Sequence, residues 1–86
     1  MEIKIKKLSP KAIIPKRGSE NAAGYDLYST ENIVILPAMS YKVHTDIALE
    51  IPTGYFGAIF ARSGLSTKRG LRPANCVGVI DPDYRG

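Results

Sequence analysis

Hydrophobic and polar positions along this chain alternate mostly with a period of two. Ile3 and Ile5 fall between Glu2, Lys4 and Lys6, which reads as a strand with one wet face. The longest such run is Val43, Thr45, Ile47, Leu49 and Ile51, interleaved with Lys42, His44, Asp46 and Glu50. That alternation predicts a half-buried strand of an antiparallel sheet. Ile33-Val34-Ile35-Leu36 reads as a short strand ended by Pro37, since proline cannot donate to a ladder. Tyr55 to Ala61 is apolar at both parities and predicts a more buried strand, and Cys76 to Ile80 predicts a further short one. Only Arg62 to Lys68 suits a helix, of about one or two turns. Pro10, Pro15, Gly18, Pro52-Thr53-Gly54 and Gly70 punctuate the runs. Many short strands, with turns about every ten residues, predict an all-β sandwich or barrel.

Length and charge narrow the picture without deciding it. The 86 residues show no repeat, linker or low-complexity tract, so they read as one small domain. A chain of this size buries only roughly 60–65% of the surface its unfolded form exposes. The apolar runs are too short to span a membrane, and the alternating start, Met1-Glu2-Ile3-Lys4-Ile5-Lys6, is unlike a signal peptide. Cys76 is the single cysteine, which fits a reducing, cytoplasmic setting. The net charge of +4 fits either a solvated basic face or an anionic partner. Its lysines and arginines are dispersed and no RNA-binding aromatic motif is visible, which argues against nucleic acid.

Three segments could carry chemistry. In Ala23-Gly24-Tyr25-Asp26-Leu27, an acid interrupts a strand-like pattern. Asp26 either faces water or, if buried, needs a cation or other partner. In Phe60-Ala61-Arg62-Ser63-Gly64-Leu65-Ser66, a strand passes into a helical turn. A guanidinium fork, a hydroxyl and free backbone N–H groups are the parts of a phosphate site, although Arg-Ser-Gly alone is also an ordinary turn. In Gly78-Val79-Ile80-Asp81-Pro82-Asp83-Tyr84-Arg85-Gly86, two carboxylates flank a proline before an aromatic ring. That is good turn chemistry, or a carboxylate held at a strand end beside an aromatic platform.

In this order the three segments resemble motifs one, two and three of the trimeric deoxyuridine triphosphatases. Ile51-Pro52-Thr53-Gly54-Tyr55 and Gly70-Leu71-Arg72-Pro73-Ala74-Asn75 also fit that family's pattern, so the resemblance runs from about Ile3 to Gly86. Ala61 stands where proline is frequent, Asp46 where glycine is frequent, and Pro82 where a small or polar residue is usual. None of these removes a group the motifs need. Motif four and the glycine-rich motif five are absent, so the chain reads as the N-terminal part of one such domain. The implied fold is a distorted β-barrel, a jelly-roll-like sandwich with one short helix.

The resemblance implies hydrolysis of dUTP to dUMP and pyrophosphate, which keeps uracil out of DNA and supplies dUMP for dTMP synthesis. Water attacks the α-phosphorus, and positioning and charge stabilisation do most of the work. By the same resemblance Asp81 orients and deprotonates the water, and Arg62, Ser63 and Gly64 hold the phosphate chain. Asp26 holds Mg²⁺, directly or through its waters. Asn75, Val79 and Ile80 line the uracil and sugar, and the Tyr84 ring packs under the deoxyribose. Asp83 reads as turn or interface chemistry, and His44 and Cys76 as structural. A homotrimer with active sites shared between subunits is implied, and the 86 residues alone are expected to turn over little dUTP. Two other readings stay open: a dCTP deaminase-like enzyme, which needs a different third motif, and a non-catalytic fragment of the same fold.

Overall fold

The computed structural model describes residues 1–86. Four short strands and one helix follow one another: β1 (Lys4–Lys7), β2 (Ile47–Glu50), β3 (Gly57–Ile59), α1 (Ser63–Arg69) and β4 (Gly78–Ile80). β1 and β2 form one two-stranded sheet, and β3 and β4 another. Regular structure is thus mostly strand with one short helix, and these strands do not close into a barrel. The chain divides into two compact units, one of residues 5–48 and one of residues 1–4 with 49–86.

The longest predicted strand is cut short by one residue. Asp46 has a φ of 53°, in the left-handed region that side chains rarely adopt. Before it, the His44 carbonyl accepts from the Thr30 N–H at 3.1 Å; at it, the Asp46 carbonyl accepts from the Leu8 N–H at 2.8 Å. The turn at Asp46 therefore passes the backbone from one partner to another, and strand geometry resumes only at Ile47. The Asp46 carboxylate accepts from the Ser9 hydroxyl at 2.7 Å. That hydroxyl in turn accepts from the Lys11 N–H at 3.2 Å. Inside–outside alternation holds only in part: Ile47 and Ile51 are buried and Glu50 is exposed, but Val43 and His44 are both exposed and Ala48 and Leu49 both half-buried.

Three expectations are corrected. Residues 33–36 keep alternating burial, yet no strand pairs with them. A strand is stable only when its N–H and C=O groups are shared with a neighbour; here the segment runs unpaired into a turn, where the Met39 N–H reaches the Leu36 carbonyl at 3.1 Å. Tyr55 to Ala61 is not a buried strand. Only Gly57–Ile59 is extended and paired, and Phe60 is 68% exposed. Cys76, with a φ of 68°, belongs to a turn closed by its N–H on the Pro73 carbonyl at 3.0 Å. β4 therefore starts two residues after it.

Helix α1 ends where its sequence says. Gly70 takes the left-handed C-terminal position at φ 65°. The Gly70 N–H closes on the Ser66 carbonyl at 3.0 Å, a pairing typical of glycine-terminated helices. Lys68 and Arg69 lie in the last turn, where the helix dipole favours cations. Among apolar side chains only Ala12, Pro15, Ile47 and Ile51 are buried, and the chain exposes 7223 Å². A compact monomer of this mass would expose about 5,000 Å².

Candidate functional site

The β3–β4 ladder builds the end of the chain that carries the third motif. Gly57 pairs with Ile80, Ala58 with Val79, and Ile59 with Gly78, antiparallel. Each glycine makes room for the isoleucine opposite. A Cβ on Gly57 would lie 3.1 Å from the Ile80 Cβ, and one on Gly78 would lie 3.2 Å from the Ile59 Cβ. One face of the ladder therefore carries Ile59 and Ile80 laid over glycine backbone. Side chains alternate along a strand, so Ala58 and Val79 lie on the other, exposed face.

Asp81 follows β4 directly and opens a tight turn. The Tyr84 N–H donates to the Asp81 carbonyl at 3.1 Å, closing a four-residue turn over Asp81-Pro82-Asp83-Tyr84. Proline at the second position presets the φ that such turns use, and Asp suits the first position. Asp83 takes the third. Asp81 and Tyr84 are both exposed. The Tyr84 ring lies against Gly86, so closely that no side chain could stand there. After the turn, Arg85 folds back on it. Its Nη1 donates to the Pro82 carbonyl at 2.7 Å and to the Tyr84 carbonyl at 2.9 Å. Its Nη2 faces Glu50 Oε1 at 3.6 Å. Reasoning from the sequence assigned Arg85 and Glu50 no part in the site. An arginine placed just past a turn with free carbonyls is the signal that could have found the first of them.

Arg62, Ser63 and Gly64 stand at the start of α1. Arg62 is the extended residue before the helix, and no side chain caps its first N–H groups. No acid lies in its first turn, so nothing there competes with an anion. All three residues are exposed. Arg62 follows β3 by three residues, near the end of the ladder where Ile59 meets Gly78. Asp81 follows the other end, where Ile80 meets Gly57. Three paired residues separate these ends by about 7 Å, at about 3.3–3.4 Å per residue. The phosphate motif and the third-motif carboxylate therefore leave the ladder at opposite ends.

Asn75 is exposed, in the loop before β4, and its carbonyl accepts from the Val77 N–H at 2.8 Å. Val79 and Ile80 are adjacent strand residues with side chains on opposite faces. A ligand meeting both must therefore meet the backbone of at least one.

Asp26 belongs to the other compact unit. It pairs with Lys16 in an isolated antiparallel bridge, its N–H donating to the Lys16 carbonyl at 2.7 Å. Beside it the Arg17 guanidinium lies over the Tyr25 ring, 5.7 Å from its centroid, within cation–π range. Asp26 is half-buried, and a Cβ on Gly18 would come 3.8 Å from its Oδ2. Nowhere do three or more His, Cys, Asp or Glu residues converge as metal ligands would. His44 and Cys76 are exposed and apart from any such group.

The dUTPase family pattern matches residues 10–86 of the chain. The deoxyuridine 5'-triphosphate nucleotidohydrolase of Nautilia profundicola is 45% identical over 86 residues, covering 100% of this chain and 61% of that protein. Among solved structures, a dUTPase from phage phi11 of S. aureus, described for the coordination of a structural Mg(II) ion, is 34% identical with a TM-score of 0.85. It covers 100% of this chain, which covers 55% of it. The dUTPase of Staphylococcus bacteriophage 80alpha, solved with dUpNHpp, is 36% identical with a TM-score of 0.84, over 99% of this chain and 49% of that one. The chain thus spans between half and three-fifths of the length of the proteins it matches here.

Proposed function

The chain belongs to the dUTPase family, and from that premise we propose that it supplies the first three motifs of an enzyme hydrolysing dUTP to dUMP and pyrophosphate. The observation that carries the reading is the turn after β4. It presents the Asp81 carboxylate to solvent at a strand end, with Tyr84 three residues on, as a water-orienting group beside a nucleoside platform requires. Asp81 holds the attacking water and takes its proton, and orientation matters as much as basicity. Arg62 and Ser63, with the uncapped N–H groups at the start of α1, take the phosphate chain. Val79, Ile80 and Asn75 meet uracil and sugar chiefly through backbone, since the side chains of adjacent strand residues diverge. Fixed backbone donors favour uracil and leave unpaired groups against cytosine. The outer edge of β4, which no strand of either sheet pairs, supports this.

Mg²⁺ would be held by Asp26 with waters and substrate phosphates rather than by a cage of protein ligands. Asp26 is the carboxylate that the motif-one resemblance assigns to the ion, and no group of three acids converges on it. Magnesium commonly binds through one or two carboxylates, waters and substrate phosphates. When bound it would neutralise charge on the triphosphate, with Asp26, held by the backbone bridge to Lys16, as its carboxylate. A domain of jelly-roll type, assembled as a homotrimer with shared sites, is the architecture we propose for the whole protein. Two observations support it: the phosphate motif and Asp81 leave the ladder at opposite ends, and the β3–β4 face bearing Val79 and Ala58 is open. The single Cys76 supports a reducing, cytoplasmic setting, and no helix is long and apolar enough to cross a membrane.

The test is Mg²⁺-dependent pyrophosphate release by the chain alone and by the chain extended with the remaining portion of the Nautilia profundicola relative. The extended form is expected to hydrolyse dUTP and to discriminate against dTTP, dCTP and UTP; the 86 residues alone are expected to turn over little. Equal kcat/KM for dTTP and dUTP in the extended form would overturn the reading.

A further inference from the structure

We propose that Arg85, tethered by Glu50, is the positioning residue of the Asp81 turn. The inference rests on the reading of Asp81 given above and adds to it how that carboxylate is held. A turn closed by one backbone bond, 3.1 Å from the Tyr84 N–H to the Asp81 carbonyl, fixes little by itself. Asp81, Asp83 and Tyr84 are exposed, and no other backbone bond closes the turn. Arg85 removes that freedom. One terminal nitrogen, Nη1, carries two hydrogens and spends one on the Pro82 carbonyl at 2.7 Å and one on the Tyr84 carbonyl at 2.9 Å. Those carbonyls follow the second and fourth residues of the turn, on either side of Asp83, so the plane of the guanidinium sets how the turn is twisted. The second nitrogen, Nη2, lies 3.6 Å from Glu50 Oε1. That is an ion pair rather than a hydrogen bond, and Glu50 is the last residue of β2. The tether therefore runs from a strand end, through a rigid planar fork, to the backbone on both sides of Asp83.

Lysine could not substitute. Its ammonium is a hydrated point charge on a flexible stem, whereas the guanidinium keeps its donors in one plane. Glu50 and Arg85 are each half exposed as side chains, at 50%, and an exposed ion pair contributes little to stability. The effect of the pair is thus geometric: it sets the orientation of the carboxylate that must meet a water and a phosphorus atom, where a small misplacement lowers the rate steeply. Tyr84, whose carbonyl is one of the two gripped, is held by the same fork.

Two measurements test this. In the 86-residue chain, ¹³C carbonyl shifts report hydrogen bonds directly. Arg85→Ala is expected to move the Pro82 and Tyr84 carbonyl resonances while leaving the β3 and β4 amides in place. In the extended, dUTP-hydrolysing form, Arg85→Ala should lower kcat about tenfold with KM within about twofold and Tm unchanged. Arg85→Lys should recover only part of that loss, and Glu50→Gln should cost about two- to threefold in kcat. Unmoved Pro82 and Tyr84 resonances overturn the inference, whatever the kinetics. So does an unchanged kcat in an active extended form, and so does a raised KM at constant kcat, which would make Arg85 a substrate ligand. An extended wild-type form without turnover sinks the proposed function instead, and the carbonyl shifts still decide whether Arg85 holds the turn.

Discussion

The two compact units are held together in opposite ways. Residues 49–86 contain the antiparallel ladder β3–β4 and the helix α1, yet Ile51 is their one buried apolar side chain. Residues 5–48 contain little regular structure, yet they bury Ala12, Pro15 and Ile47. There the order comes from turns, one isolated bridge, side chains bonded to backbone (Ser29 to Glu31, Thr30 to His44) and the Ser9 hydroxyl bonded to the Asp46 carboxylate. The first unit is rich in regular elements and poor in core; the second has some core and is tied by polar contacts, two of them between residues far apart in sequence. The difference extends to the chemistry. Asp81 stands on an exposed turn at a ladder end, oriented by backbone and by Arg85. Asp26 is half-buried and pinned by a backbone bridge.

That contrast breaks most sharply at Asp81. Asp81→Asn in the extended form should lower kcat about 10²–10⁴-fold with nucleotide affinity largely kept, because the amide retains the shape and cannot take a proton. Single-turnover kinetics alongside equilibrium binding of dUpNHpp separates the two effects. Near wild-type turnover would remove Asp81 from its proposed role.

The ladder itself is tested by Gly78→Val. The new side chain starts from a Cβ 3.2 Å from the Ile59 Cβ, so Ile59 must move, at a cost of about 1–3 kcal/mol. Hydrogen exchange should show β3 and β4 amides opening while the amides of Leu8 and Asp26, in the other unit, keep their protection. Uniform loss across both units would mean that they unfold as one.

Asp26→Asn should act through the ion. The Mg²⁺ concentration for half-maximal turnover should rise roughly tenfold, the scale on which losing a partner at a metal site weakens binding, with turnover recovering at high Mg²⁺. A loss of rate that no Mg²⁺ concentration restores would place Asp26 elsewhere in the mechanism.

The parts of this structure legible in the sequence are those decided locally. Gly70 ends α1 because glycine alone takes its backbone conformation without strain. The alternation from Val43 to Ile51 places Ile47 and Ile51 inside and Glu50 outside, but Val43 is exposed. Segment 33–36 alternates just as clearly and pairs with nothing, because a ladder needs a partner that no local pattern specifies. The Tyr55 to Ala61 run misled for a related reason: apolar residues at both parities imply burial only if something covers both faces, and Phe60 has no such cover in this chain. In the site, the third motif marked Asp81 and Tyr84 by type and order. It could not mark Arg85, whose role depends on how a turn aims two carbonyls, nor Glu50, which is 35 residues distant in sequence and meets Arg85 only in the fold.

The smallest effect belongs to Asp46, and it tests whether residues 5–48 are held by polar contacts as described. A non-glycine residue at φ 53° is strained by about 1 kcal/mol, somewhat less for aspartate, which tolerates this region. Asp46→Gly relieves that strain but frees the unfolded chain, which costs about 0.4–1 kcal/mol. These terms nearly cancel. What remains is the Ser9 hydroxyl bond to the Asp46 carboxylate at 2.7 Å, a part-buried contact of about 1 kcal/mol. Asp46→Gly alone should therefore destabilise by about 1 kcal/mol or less. In a Ser9→Ala background that bond is already gone, and the same substitution should be neutral or slightly stabilising. The double-mutant cycle, read from denaturant midpoints, should give a coupling of about 0.5–1.5 kcal/mol. Additive effects would mean that the hydroxyl–carboxylate bond does not hold the turn, and that the left-handed residue at 46 is maintained by the backbone bond from Leu8 alone.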